Sequence, residues 1–476
     1  MSLKIGVSGV RGIIGESLTE EVISNFAKAY GTFVIGDRFI GIPTQKHKPV
    51  PTDKVVLVGR DTRQSGEFAT KVVIDGLLAT GCKITDVGLC TTPAALFLTR
   101  HLKADGAIII TASHNPAQWN GLKFVRPDGT FLTKTEVEKL IKIYNSKKFV
   151  LQPNKRGADI TKNPDAIKAH LDKVVKSVDV NVIKKAGFKV AVDYCNGTGA
   201  VTTPYLLEKL GCEVAAINTS PDGKFAHNPE PTPKNLEQLA EFVRKTKADV
   251  GFAQDPDADR LAVVSEKGIA IGEENTLALA VKHVLSKRCL APFLVPGTFL
   301  KVVVNLSTSR MIDDICSEFG ATLYRSAVGE TNVVDKMREV GAVIGGEGNG
   351  GVIFPAVNFG RDSFIGMALI LEYMAKSKKR LSELAGSIKQ YSIEKIKIDC
   401  PQEKIKGILK NIKNSSKLKA QSAKFSTIDG VKIDYPDGWV HIRGSNTEPV
   451  IRIMAEAPAK EAALEYIDKI KGLIRC

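Results

Sequence analysis

Three times along this chain an apolar run of β character closes on Asp or Asn, turns into a segment of helical period, stops at a glycine and resumes as a second apolar run. The copies run from 55–61 to Gly81-Cys82-Lys83-Ile84, from 188–193 to Gly211-Cys212-Glu213-Val214, and from 301–305 to Gly320-Ala321-Thr322-Leu323. Each reads as a βαβ unit, and such units require parallel or mixed sheets covered by helices. The Asp or Asn can cap the turn into its helix, and the glycine suits a left-handed helix C-terminus. A chain of 476 residues exceeds what one core can organise, so it divides. We read an α/β protein: three related α/β domains with mixed sheets at 1–155, 156–269 and 270–385, and a smaller α+β domain at 386–476. In that last stretch the pattern changes to polar–apolar alternation at 393–398, a helical segment, and two strands at 438–443 and 450–454.

Composition narrows the function classes. A 43% apolar and 25% charged chain is ordinary globular protein. The net charge of +15 suits either a nucleic-acid surface or attraction of a small anion. The lysines are spread along the chain and aromatic residues are only 6%, so we expect no nucleic-acid partner. With no signal-type start and no apolar run near the roughly 20 residues that span a bilayer, a cytoplasmic protein without a membrane partner is expected. Eight cysteines without a CxxC pair suggest neither zinc nor disulfides. A basic stretch at 37–54 reads as an exposed loop in the first domain.

Four segments could carry chemistry. In Gly106–Ile110 followed by Thr111-Ala112-Ser113-His114-Asn115-Pro116, a buried strand empties into a loop that Asn-Pro cannot continue, displaying Ser113 at the strand mouth. Alone, it reads first as an ordinary turn. Asp255-Pro256-Asp257-Ala258-Asp259-Arg260 follows another apolar strand. Its three carboxylates at alternate positions repel one another unless a hard divalent cation binds them. Glu266 stands where an EF-hand loop has its twelfth ligand, but Arg260 occupies the position of that loop's glycine, which argues against calcium. A phosphatase using the first Asp as nucleophile stays open. Gly345-Gly346-Glu347-Gly348-Asn349-Gly350-Gly351 brings backbone close to a ligand, with Glu347 and Asn349 suited to vicinal hydroxyls. Arg443-Gly444-Ser445-Asn446-Thr447-Glu448-Pro449, between two strands, offers a phosphate receptor or simply a polar hairpin.

Together and in this order, the four segments resemble the α-D-phosphohexomutase superfamily, and the GEGNGG and SHNPAQWN wording is most similar to its archaeal-type phosphoglucosamine mutase branch. The resemblance implies a four-domain, heart-shaped arrangement around a central cleft. By position it makes Ser113 a phosphoserine that, with Asp255, Asp257 and Asp259, holds one Mg²⁺ per chain. Arg11, His114 and Arg260 become electrostatic partners and Lys123 the candidate for proton handling. Glu347 and Asn349 would contact the sugar, Arg443, Ser445, Asn446 and Thr447 the unreactive phosphate, and Lys336 is a looser match. The implied reaction interconverts hexose 6- and 1-phosphates through a bisphosphate, glucosamine phosphates first and mannose or glucose phosphates as the alternative. A hexose 1,6-bisphosphate activator, a small phosphosugar as the only partner, and a monomer or homodimer complete the expectation. The sugar loop departs from the GEMSGH and GEQSGH forms of other members, lacking their hydroxyl and histidine.

Overall fold

The computed structural model describes residues 3–7, 9–36, 53–152, 159–289, 300–415, 424–445 and 449–474. Most of the basic 37–54 stretch therefore lies outside the described residues. The first sheet takes β1 (Lys4–Gly6), β2 (Gly9–Ile13), β3 (Val55–Arg60), β4 (Lys83–Leu89), β5 (Gly106–Ile110), β6 (Trp119–Val125) and β7 (Ile160–Lys162) in the order β1-β2-β6-β5-β3-β4-β7. It is mixed: β5, β3, β4 and β7 run parallel, while β6 and β2 join antiparallel. A second mixed sheet orders β8 (Lys189–Asp193), β9 (Glu213–Ile217), β10 (Val250–Gln254) and β11 (Leu261–Ser265) as β11-β10-β8-β9. β12 (Lys301–Asn305) pairs in parallel with β13 (Thr322–Ser326) and β14 (Ile344–Glu347), and β15 (Gly351–Ile353) follows in the chain. The last sheet is wholly antiparallel, β16 (Ser392–Asp399), β17 (Lys424–Ser426), β18 (Val431–Asp434), β19 (Trp439–Gly444) and β20 (Val450–Ala457) lying in the order β16-β20-β19-β18-β17.

The three sequence repeats are three parallel strand pairs, β3·β4, β8·β9 and β12·β13, each joined by a helix. Gly81, Gly211 and Gly320, just beyond those helices, all take left-handed φ of 89°, 72° and 62°, as a stop at each helix end requires. The strand-closing residues do something narrower than helix capping. Asp61, Asp193 and Asn305 each accept the backbone N–H two residues on, from Arg63, Cys195 and Ser307, at 2.8–2.9 Å. These are Asx turns, and the helices start several residues later, at Gly66, Gly199 and Met311.

The described chain forms two compact units, residues 1–276 with 350–382, and 277–349 with 383–476. The stretch expected as one domain at 270–385 thus contributes to both. The physical reason is helix Ser363–Ser377, which is apolar nearly all round and packs on helices Ile167–Val175 and Val180–Ala186 of the first unit. Among the described residues no helix is long and apolar enough to cross a membrane. The described free cysteines include five buried ones.

Within the first unit, the loop after β9 is pinned by a histidine. His227 meets Asp193 through Nε2 and the Asn228 carbonyl through Nδ1, both at 2.9 Å. Two acceptors call for two N–H donors, the imidazolium form, and the Asp193 carboxylate raises the pKa of His227 above its ordinary value even though burial opposes this. A raised folded pKa gives stability that is complete below the unfolded value, about 6.5, and lost as pH rises through the folded value. Replacing His227→Gln should therefore cost about 1–3 kcal/mol below pH 6.5, and the gap from wild type, read by urea denaturation, should narrow as pH rises past neutrality.

Candidate active site

β5 is fully buried, and its exit residues fix the loop that follows. Thr111 Oγ1 donates to Asp61 Oδ2 at 2.5 Å and accepts the Ser113 N–H at 2.9 Å. Ser113 itself adopts φ of 51° and is 1% exposed. A serine pays for left-handed backbone unless its surroundings enforce it. Here the enforcement comes from Arg63, also 1% exposed. Its Nε donates to Asp61 Oδ2 at 3.1 Å, its Nη1 to the Pro116 and Trp119 carbonyls at 2.6 and 2.9 Å, and its Nη2 to the Ser113 and Asn115 carbonyls at 2.6 Å each. All five guanidinium donors are used, so one buried side chain sets the shape of residues 113–119. Phe225 lies under its guanidinium at 5.0 Å.

The acidic loop meets this serine. Asp255 Oδ1 accepts the Asp259 and Arg260 N–H groups at 3.1 Å, and Ala258 turns the chain with φ of 56°. Gly197 packs under Pro256 so closely that a Cβ would stand 2.7 Å from its Cα. The result gathers ligand atoms of Asp255, Asp257 and Asp259 within 4.8 Å of one another, each residue 0% exposed. Among the described residues it is the one such cluster of potential metal ligands. Ser113 Oγ donates to Asp255 Oδ2 at 3.1 Å and lies 3.3 Å from His114 Nδ1. Asp257 Oδ2 accepts from Thr92 Oγ1 at 2.6 Å and Lys123 Nζ at 2.7 Å; Asp259 Oδ2 accepts from Arg361 Nη2 at 2.7 Å. The opposite oxygens, Asp257 Oδ1 and Asp259 Oδ1, are buried with no hydrogen-bond donor. Such oxygens are costly unless a cation takes them, so the donor set fits a hard divalent ion.

Electrostatics follow from crowding. Burial, then the neighbouring Asp259 and Asp257 charges, hold the Asp255 carboxyl well above its usual range. Burial would raise Asp257 and Asp259 too, but Lys123 pulls the first below its usual value and Arg361 the second. Lys123 is raised because Asp257 and Asp259 outweigh its burial. As described it is an ammonium bound to two carboxylates. Burial, with Arg260 and Arg11 nearby, pushes His114 down to about 2, which keeps its ring neutral. Arg11 donates to Asn115 Oδ1 at 2.9 Å, and Arg260 Nε lies 3.9 Å from Asp259 Oδ1.

Ser113, His114, Arg11, Lys123, Arg260 and the three aspartates thus converge in the first unit. Glu266 does not join them, its carboxylate being taken by Ser382. Sequence reasoning missed Arg361, Thr92 and the Asp61–Arg63 brace. The adjacent Arg361-Asp362 ahead of an apolar helix was a signal, whereas nothing local marks Thr92.

The remaining candidates lie in the second unit. The structure carries β14 through Gly345, Gly346 and Glu347, so the glycine loop begins as a strand; a Cβ on Gly345 would stand 2.3 Å from the Val303 carbonyl oxygen. Glu347 Oε1 is anchored by Asn305 Nδ2 at 2.9 Å and Gly329 N–H at 3.0 Å, and Asn349 Oδ1 is buried without a donor. Arg443, lowered by burial, feels Asp429 and Glu347, and the Ser445 N–H bonds the Val450 carbonyl at 2.9 Å. Asn446 and Thr447 lie outside the described residues. Lys336 is engaged on its own helix by Glu339 at 2.6 Å and sits over Tyr324.

Models of four successive domains match this chain: phosphoglucomutase/phosphomannomutase α/β/α domains I, II and III at residues 2–151, 168–268 and 273–391, and the C-terminal domain at 396–473. The chain belongs to this family. Its members are phosphohexomutases, isomerases that act by phosphoryl transfer. A phosphoglucomutase/phosphomannomutase of Thermococcus kodakarensis is 39% identical over 98% of this chain and 97% of its own length. A phosphoglucosamine/phosphogalactosamine mutase of Sulfurisphaera tokodaii is 32% identical over 100% and 99%. The crystal structure of a phosphoglucomutase/phosphomannomutase family protein from Burkholderia thailandensis superimposes with a TM-score of 0.82 at 26% identity, covering 98% of this chain and 95% of that one.

The Arg63 brace generates a test that separates positioning from stability. Arg63→Lys keeps the charge but offers three donors to five acceptors, so the mutase should lose roughly 10²-fold in kcat with KM little changed. An equal loss in both, or none, would remove the brace from the account.

Proposed function

We propose that this phosphohexomutase interconverts hexose 6-phosphates and hexose 1-phosphates through a phosphoryl group carried on Ser113, with glucosamine phosphates as the preferred pair. The observation that carries the reading is Ser113 Oγ, 3.1 Å from Asp255 in a buried triplet of carboxylates that keeps two oxygens undonated. Asp255, Asp257 and Asp259 would hold one Mg²⁺, whose charge, when bound, offsets that building on the transferred phosphoryl oxygens.

In the reaction, the bond between Ser113 Oγ and phosphorus breaks as a free hydroxyl of the bound hexose phosphate bonds to the same phosphorus, and the proton that this hydroxyl loses ends on Ser113 Oγ. The products are unmodified Ser113 and a hexose bisphosphate. The bisphosphate turns over, and Ser113 takes the other phosphoryl group by the reverse step, releasing the isomer. Added hexose 1,6-bisphosphate would reload a serine that has lost its phosphate. Arg11 and Arg260 face the developing negative charge, and the neutral His114 ring lies against Oγ without adding charge. Lys123 keeps Asp257 and Asp259 ionised. Glu347 and Asn349 contact the sugar; Arg443, Ser445, Asn446 and Thr447 hold the phosphate that is not reacting. Lys336 is the weakest of these assignments, because its ammonium is already paired.

A second substrate reading has its own support. The Thermococcus kodakarensis relative, named for glucose and mannose phosphates, is more similar to this chain than the amino-sugar mutase of Sulfurisphaera tokodaii. A carboxylate such as Glu347 can take either a sugar ammonium or vicinal hydroxyls. Comparing turnover of glucosamine, mannose and glucose 1-phosphates decides between them. Preference for glucosamine upholds the first reading, and equal efficiency on all three sinks a dedicated glucosamine enzyme.

Intact mass after incubation with hexose 1,6-bisphosphate should show a phosphoryl adduct in wild type and none in Ser113→Ala, which should also lose turnover. An adduct that persists in Ser113→Ala but vanishes in Asp255→Asn would point to an aspartyl phosphatase instead. Chelation should abolish turnover and added Mg²⁺ restore it, while Asp257→Asn should need a much higher Mg²⁺ concentration for half-maximal rate.

A further inference from the structure

We infer that the second unit holds an anion-binding site, separate from the Arg443 end of its sheet, built to take a small phosphate-bearing molecule. A cavity of about 530 Å³ opens where β17 and β18 face Arg310 and Arg325, a size within the roughly 300–1,000 Å³ of small-ligand sites. Four cations line it, Arg310, Arg325, Lys424 and Lys432, against two carboxylates, Asp313 and Asp434. The pairing is unequal. Arg325 is bound to Asp313 at 2.5 Å and Lys432 to Asp434. The Arg310 guanidinium donates to the Tyr435 and Pro436 carbonyls, at 3.5 and 3.1 Å, and lies over the Tyr391 ring at 5.7 Å. Neither Arg310 nor Lys424 has a carboxylate at ion-pair distance among the described residues.

Two positive charges are therefore left over around one half-open cavity, which a phosphate dianion would match. Lys432 adds a second observation. It is 2% exposed, lies over the Trp439 ring at 5.2 Å, and is lowered to about 8 by burial and then by Arg325. The cavity is not the receptor expected at 443–447. Trp439 lines it, and Arg443 lies four residues along the same strand, about 13 Å away at 3.3 Å per residue.

Trp439 supplies the readout, since the chain has two tryptophans and Trp119→Phe leaves it alone. Titrating that variant with inorganic phosphate, and separately with glucose 6-phosphate, should give a saturable change in Trp439 emission. Lys424→Gln, at an exposed position, and Arg310→Gln should each weaken it about tenfold, whereas Arg443→Ala should leave it in place. Equal affinity for the two anions assigns recognition to the phosphate group alone, and tighter binding of glucose 6-phosphate adds contacts to the sugar. No saturable change with either anion would overturn the site. So would binding that survives both Lys424→Gln and Arg310→Gln, or that disappears with Arg443→Ala.

Discussion

Three carboxylates packed within 4.8 Å and shut away from water set the terms for everything around them. Like charges at that spacing in a weakly polarisable interior repel by several kcal/mol, and each also gives up its hydration. The first unit meets this by distributing cations unevenly. Lys123 and Arg361 hold one oxygen each of Asp257 and Asp259, and the partner oxygens stay open. Asp255 receives two backbone N–H groups and the Ser113 hydroxyl but, among the described residues, no cation at ion-pair distance, and burial with the two neighbouring carboxylates disfavours its ionisation. The cluster is compensated by its protein neighbours only in part, the condition expected of a site that completes itself with a metal ion.

Geometry is held with equal economy. Two loops meet at the site, and each turns on a non-glycine residue in left-handed backbone, Ser113 and Ala258. Such residues persist only where the surroundings over-determine them. Arg63 supplies that constraint for Ser113 with five donors, and the Asx turn of Asp61 places Arg63. The same turn recurs after β8 and β12, where Asp193 also meets His227 and Asn305 also anchors Glu347. One local device, repeated in the three strand–helix–strand units, was thus turned to three tasks.

The second unit shows what this arrangement leaves to side-chain packing. β14 delivers Glu347 at its end because Gly345 lets the strand press against β12. Polar side chains of the last sheet find specific partners, Ser307 with His441 at 2.8 Å and Trp439 with Glu456 at 2.8 Å. These bonds join segments more than a hundred residues apart or on neighbouring strands, and no local pattern announces them.

Local sequence determined the repeated units, the glycine stops, the strand mouth at Ser113 and the acidic triplet, because each depends on neighbours within a few residues. Tertiary structure alone decided that Arg361, some hundred residues downstream, reaches Asp259, that Thr92 caps Asp257, and that Arg63 grips the serine loop. It also decided that helix Ser363–Ser377 packs with the first unit, and that Lys123 meets Asp257 and Asp259. The physical reason is the same in each case. Burial brings charges from distant segments within a few ångströms, and a residue's protonation and role are set by those neighbours and not by its place in the chain.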